Sequence, residues 1–199
     1  MPTEAMVRES LRREVLARAP KRAEAMYEFW VPRSNERADV VVIGSAMLGF
    51  EIKTDRDTLK RLPRQVGAYN RLFDRCTLVL AERHLDAALV IVPEWWGVAI
   101  ILADRAPLSF RLIRPASPNR GVDPETLVRL LWREEVRSIL SGFGAVPDTR
   151  ASRASMWQQL LSLVDLDGLK DAVRKALLER DPSLARFPNR RSSALDVSS

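Results

Sequence analysis

The sequence predicts an α/β protein, a mixed β-sheet flanked by helices, with a helical subdomain at its C-terminal end. Three observations carry this. The apolar run Asp39-Val-Val-Val-Ile ends on Gly44-Ser45 and is followed by a second strand-like run, Met47–Lys53, so the two read as a hairpin. Residues 76–81, 85–92 and 96–103 then follow in the order strand, helix, strand, which calls for a right-handed parallel crossover. Beyond Asp123 the apolar residues recur at helical spacing.

The first element is a helix over residues 3–17, where Val7, Leu11 and Val15 recur at four-residue steps and Pro20 stops the run. Glu14 falls beside this inward face, whereas Glu9 points away. The aromatic run Tyr27-Glu-Phe-Trp-Val-Pro32 reads as a strand closed by proline, and residues 33–37 turn the chain with Glu36 as a solvated loop carboxylate in preference to an aid to a metal. In the hairpin, Glu51 and Lys53 share one face while Phe50 and Ile52 take the other. Asp39, near the start of the first strand, meets Glu51 and Lys53 near the end of the second. Pro63 suits the first turn of a helix running through Phe73, with Val66, Tyr69 and Phe73 as its buried stripe. Gln65 lies at the edge of that stripe, and its four-residue spacing from Tyr69 lets both side chains point the same way. Arg64, Arg71 and Arg75 project elsewhere, either to phosphates or to solvent. Cys76 lies in an apolar strand as a small hydrophobe. His84 stands at a helix start, and Trp95 and Trp96 pack at the sheet edge in preference to stacking bases.

These elements divide the chain into a core (residues 1–106), a linker (107–122) signalled by Arg111, Arg114, Pro115, Pro118 and Gly121, a helical subdomain (123–183) and a polar tail (184–199). Asp123-Pro124-Glu125 opens a helix by cap and proline rules, and Leu127, Leu130, Leu131 and Trp132 make it amphipathic as far as the stop at Ser141-Gly-Phe-Gly. An extended loop over 147–152 leads to a helix carrying Met156, Trp157, Leu160 and Leu161, and a last helix runs over 166–180.

Composition narrows the function classes. Of 199 residues, 46% are hydrophobic and 29% charged, which is ordinary for a globular chain. The 32 Lys and Arg against 26 Asp and Glu give a net charge of +6, which suits a polyanionic partner. One cysteine and one histidine exclude an intramolecular disulfide and a structural zinc site. The apolar runs are strand-sized, too short for a membrane span, and the N-terminus lacks a signal-peptide pattern, so a soluble cytoplasmic protein is expected. The chain carries no phosphate-cradling glycine loop and no cofactor fingerprint.

Two carboxylates meeting one ammonium on a wet strand face form a chemical unit. Carboxylate oxygens are the ligands that Mg²⁺ or Mn²⁺ selects, and a neighbouring lysine can orient a water and offset charge on a phosphate. The set Asp39, Glu51-Ile-Lys53 and Gln65-x-x-x-Tyr69 resembles the motif of the PD-(D/E)XK, restriction-endonuclease-like superfamily, with Ala38 where its proline would precede the aspartate. Within that superfamily, the run from Glu51 to Gln65 and the later Val-Pro-Glu-Trp-Trp-Gly resemble a bacterial and phage-borne family of unsettled function. The resemblance implies a restriction-endonuclease-like core in which Asp39 and Glu51 hold the metal, Lys53 assists the attacking water, and Gln65 and Tyr69 support the site. It also implies an acidic residue on the first helix near the metal, for which Glu14 is the candidate against its reading as a surface glutamate. The C-terminal pattern loosely resembles a DNA-binding helix, extended loop and helix, with Arg150 and Arg153 in the loop as contacts alongside Arg64 and Arg71.

The expected function is therefore a Mg²⁺- or Mn²⁺-dependent nuclease acting on nucleic acid, DNA by resemblance. The competing class is a catalytically inactive nucleic-acid-binding or partner-binding module of the same fold. Assembly as a homodimer or within a larger defence or repair complex stays open.

Overall fold

A computed structural model of the chain describes residues 2–20, 22–103, 107–145 and 150–180. Among these residues six strands form one mixed sheet in the order β1-β2-β3-β4-β5-β6. β1 (Glu24–Trp30), β2 (Arg37–Ile43) and β3 (Met47–Lys53) run antiparallel; β4 (Arg75–Leu80) and β5 (Gly97–Leu102) continue parallel to β3. The hairpin and the strand–helix–strand unit expected from the sequence are thus both present, and the class is α/β with helices on the two faces of the sheet.

α1 (Glu4–Arg18) begins where the Thr3 hydroxyl accepts from the Met6 amide at 3.4 Å, and it ends before Pro20. Its Val7 and Leu11 cover Val40, Val42, Phe50 and Ile52 on one face of the sheet. α2 (Leu62–Tyr69) and α3 (Leu85–Ile91) cover the other, where Leu62, Val66, Tyr69 and Ala88 join Phe29, Val41, Ile43 and Leu78. The even-numbered β3 residues Phe50 and Ile52 therefore face α1, and Glu51 and Lys53 face the α2 side. This is the alternation the sequence required.

Residues 107–122 differ from the expected linker: they carry β6 (Ser109–Arg114), antiparallel to β5 at the sheet edge. Edge strands tolerate charge and exposed positions because one side has no partner, so Arg111 and Arg114 hid the strand. The rest of the stretch is pinned. Asn119 Nδ2 donates to the carbonyls of Asn70 and Phe73, both at 2.8 Å, and the Arg114 guanidinium donates to the carbonyls of Trp96 and Pro93.

The C-terminal helices are α4 (Pro124–Leu127), which tightens into a 3₁₀ turn over Val128–Leu130, α5 (Arg133–Gly142), α6 (Arg153–Leu163) and α7 (Leu166–Glu179). The single helix expected from Asp123 onward is broken at Leu131 and Trp132, whose backbones are extended. Glu135 accepts from the Trp132 amide at 2.7 Å and Arg180 lies 4.3 Å over the Trp132 ring, so the new helix start is capped and clamped. Leu127, Val128, Leu131, Leu169, Val173 and Leu177 share one hydrophobic cluster with Phe29, Val41 and Tyr69, and α7 packs on β2. The expected tail (184–199) and the first half (147–149) of the expected extended loop (147–152) lie outside the described residues. No helix among the described residues is long and apolar enough to cross a membrane.

Candidate active site

The site forms where the sheet comes apart. The β2–β3 ladder pairs Ile43 with Met47 through Val40 with Phe50 and goes no further. One residue on, Asp39 Oδ2 accepts from the Ile52 amide at 2.7 Å, so a side chain takes the bond that a strand carbonyl would have made. On the other side of β2, Glu28 falls between the paired residues Tyr27–Val40 and Phe29–Ala38, with φ at 49°. A left-handed backbone at a residue other than glycine is uncommon, and it kinks β1 at this point. The carboxylate oxygens of Glu4, Glu28 and Asp39 come within 4.8 Å of one another. Arg8 Nη2 bonds to Glu4 and Glu28 and lies 3.5 Å from Asp39 Oδ1.

The strand face expected to be wet is closed over by α2: Glu51 is 1% and Lys53 7% exposed, and Glu51 is held at both oxygens. Lys53 Nζ donates to one and the Tyr69 hydroxyl to the other, each at 2.5 Å. Tyr69 is itself fully buried, stacked on Trp96 at 5.6 Å and edge-on to Phe73 at 5.1 Å. That aromatic floor explains Gly49, since a Cβ there would come within 2.4 Å of the Phe73 ring. Gln65 is buried beside Glu51, and its Oε1 has no hydrogen-bond partner among the described residues.

Burial and the nearby charge of Glu51 push the Asp39 carboxyl up to about 8, against the pull of the Ile52 amide. Burial likewise raises Glu51, opposed by Lys53, Tyr69 and Gln65. Burial and the same carboxylates hold the Tyr69 phenol well above its usual range, so it stays a proton donor to Glu51. Asp39, Glu51, Lys53 and Gln65 line one cavity of about 440 Å³, together with Glu4, Arg8, Glu28, Arg37 and Arg61. Such an arrangement can bind a cation through oxygens and present an ammonium beside it.

Of the residues predicted from sequence, Asp39, Glu51, Lys53, Gln65 and Tyr69 are brought together. Glu14 is not. It pairs with Arg18 and sits ten residues beyond Glu4 on α1, roughly 15 Å along the helix axis at 1.5 Å per residue. The end of α1 that reaches the opened strands is the N-terminal one, so Glu4 is the helix carboxylate at the cavity. Glu36 is buried rather than solvated, accepting from Arg61 at 2.8 Å with Arg64 at 3.6 Å. Arg64 is therefore at the rim beside Arg61, while Arg71 and Arg150 are exposed and Arg153 lies 5.0 Å over Trp157; none of these four lines the cavity. Sequence reasoning missed Glu4, Arg8, Glu28, Arg37 and Arg61. Only the Glu4–Arg8 four-residue spacing was a local signal, and it reads equally as a surface ion pair. Cys76 and Trp96 are core residues, and Trp96 donates to Asn70 Oδ1 at 2.8 Å.

Fold and cavity together define an α/β protein with a carboxylate–lysine pocket set at a splayed strand pair. The chain belongs to the bacteriophage P4 protein cII family, which it matches over residues 6–197. It is similar to protein cII of Enterobacteria phage P4, with 23% identity over 158 residues covering 79% of this chain and 60% of that relative, so it spans well under the relative's full length. Among solved structures, a protein of unknown function from Silicibacter pomeroyi is similar over 61% of this chain and 75% of its own, at 19% identity and a TM-score of 0.44.

Proposed function

We propose that this chain is a metal-dependent nuclease that hydrolyses phosphodiester bonds in nucleic acid, DNA by its resemblance to the PD-(D/E)XK superfamily, with the cytoplasm as its place of action. One observation carries the reading: Asp39, Glu51, Lys53 and Gln65, from three separate elements, line a single cavity, with Tyr69 donating to Glu51 from its floor. The donor set suits Mg²⁺ or Mn²⁺, because it offers carboxylate oxygens from Asp39, Glu51, Glu4 and Glu28 and the buried Gln65 Oε1, which has no partner among the described residues. Such an ion would supply positive charge to the phosphate and acidify a water.

The chain's own groups supply the rest. Lys53, fixed by Glu51, orients the attacking water and offsets negative charge growing on the phosphate. The water oxygen adds to phosphorus and loses a proton to solvent; the P–O ester bond breaks with its electron pair on the leaving oxygen, which takes up a proton. Arg37 and Arg61 line the cavity and offer guanidiniums to flanking phosphates. The test is incubation of the purified protein with single- and double-stranded DNA and RNA, with Mg²⁺, with Mn²⁺ and with chelator. Cleavage with metal is expected, abolished in Asp39→Ala and Lys53→Ala, each a loss of a hundredfold or more, on the order of 3–4 kcal/mol. Undiminished cleavage in both variants would place the chemistry elsewhere, and binding without cleavage by the unaltered chain would make it a binding module.

A further inference from the structure

Arg8 is a poorly satisfied tenant of the acidic cluster. Among the described residues its contacts to Glu4, Glu28 and Asp39 all run to the single nitrogen Nη2, which has two hydrogens for three carboxylates. The Asp39 contact at 3.5 Å is too long for a good hydrogen bond, and Arg8 Nε is buried with no partner among the described residues. Arg180 uses two nitrogens where Arg8 uses one: its Nε and Nη2 both donate to Glu135 at 2.7 Å, and its guanidinium stacks on Trp132. A second feature of the pocket suits a cation. Gln65 is 4% exposed and lines the same cavity, and its carbonyl oxygen accepts from nothing among the described residues. Converging carboxylates and an unused carbonyl are oxygen donors of the kind a hard divalent ion gathers, and a guanidinium cannot use them all.

We propose that Arg8 is the internal cation of this pocket and competes with a divalent ion for Glu4, Glu28 and Asp39, so that it sets the affinity of the site. The proposal rests on the metal-dependent reading above. Arg8 is half-buried, and its neighbour Val7 holds α1 to the sheet, so the arginine side chain can swing towards the cavity mouth while the helix stays in place. In that position its charge faces incoming phosphate, which couples ion entry to substrate entry.

The experiment measures Mn²⁺ binding by calorimetry and electron paramagnetic resonance on the whole chain, without nucleic acid. Arg8→Gln is expected to bind Mn²⁺ at least tenfold more tightly than the unaltered protein, a change of about 1.4 kcal/mol. Adding Glu4→Gln should remove most of that gain. Arg8→Gln should also melt lower in chelator and gain more on adding Mn²⁺, because the ion then replaces the missing charge. If Arg8→Gln does not fold in chelator, Arg8→Lys carries the test, with affinity expected between the two. Mn²⁺ binding that is no tighter in the Arg8 variants overturns the proposal and leaves the metal-dependent reading intact. A gain that survives Glu4→Gln overturns it too, by placing the ion elsewhere. Absence of Mn²⁺ binding in every variant ends both.

Discussion

A carboxyl group raised to about 8 stores instability that its own titration can reveal. Asp39 ionises near 4 in an unfolded chain and near 8 when folded. Between those values the folded protein holds a proton that the unfolded chain has released. Its contribution to stability is therefore complete below about pH 4 and is lost as pH rises through about 8. Asp39→Asn keeps an oxygen for the Ile52 amide and removes the charge. In chelator this variant is expected to melt higher than the unaltered protein at pH 8, by roughly 2–8 °C for a gain of about 1–2 kcal/mol. The difference should shrink towards pH 4. Melting curves across pH check it, and parallel profiles for the two proteins would mean that Asp39 does not carry the effect. Glu51 is raised in the same direction, so part of the slope remains in the variant.

Two glycines on neighbouring elements separate what a helix wants from what a sheet permits. Gly67 lies on the exposed face of α2 with nothing within 4 Å of an added Cβ. Gly67→Ala is expected to stabilise the protein by about 0.5–1 kcal/mol through helix propensity, without disturbing Gln65 or Tyr69. Gly49 in β3 is the opposite case: its added Cβ meets the buried Phe73 ring, which also supports Tyr69. Gly49→Ala should cost about 1–3 kcal/mol and weaken the site as well. Thermal melts rank the two variants, and the reverse order would refute the packing described here. At this scale the four-residue spacing of Gln65 and Tyr69 was legible because a helix fixes it. The strand β6 was not, because charges at a sheet edge look like those of a loop.

At the scale of the whole molecule, the C-terminal helices belong to the core. Leu127, Leu131 and Val173 sit in the same cluster as Phe29 and Tyr69, and Lys170 pairs with Asp74 at 3.0 Å. A fragment ending at residue 122 is expected to lack a cooperative melt and to bind hydrophobic dyes, since it exposes the α2 face of the sheet. A fragment that unfolded cooperatively with dispersed amide resonances would mean that the sheet and its first helices fold without the C-terminal helices.

The sequence by itself determined what depends on near neighbours. Alternation put Glu51 and Lys53 on one face, the hairpin brought Asp39 to them, and helical spacing aligned Gln65 with Tyr69. Each is fixed by backbone periods of two or 3.6 residues, which the order of residues displays directly. The tertiary structure alone decided which other charges reach the pocket. Glu4 and Glu14 lie on one amphipathic helix, and the periodicity of that helix says which way its apolar face turns but not which of its ends crosses the opened strands. Glu28 arrives through a backbone kink, and the Arg61–Glu36 pair spans 25 residues of chain. Those placements follow from how α1, β1 and α2 pack on the sheet, a sum of many weak apolar contacts that no single residue spacing encodes.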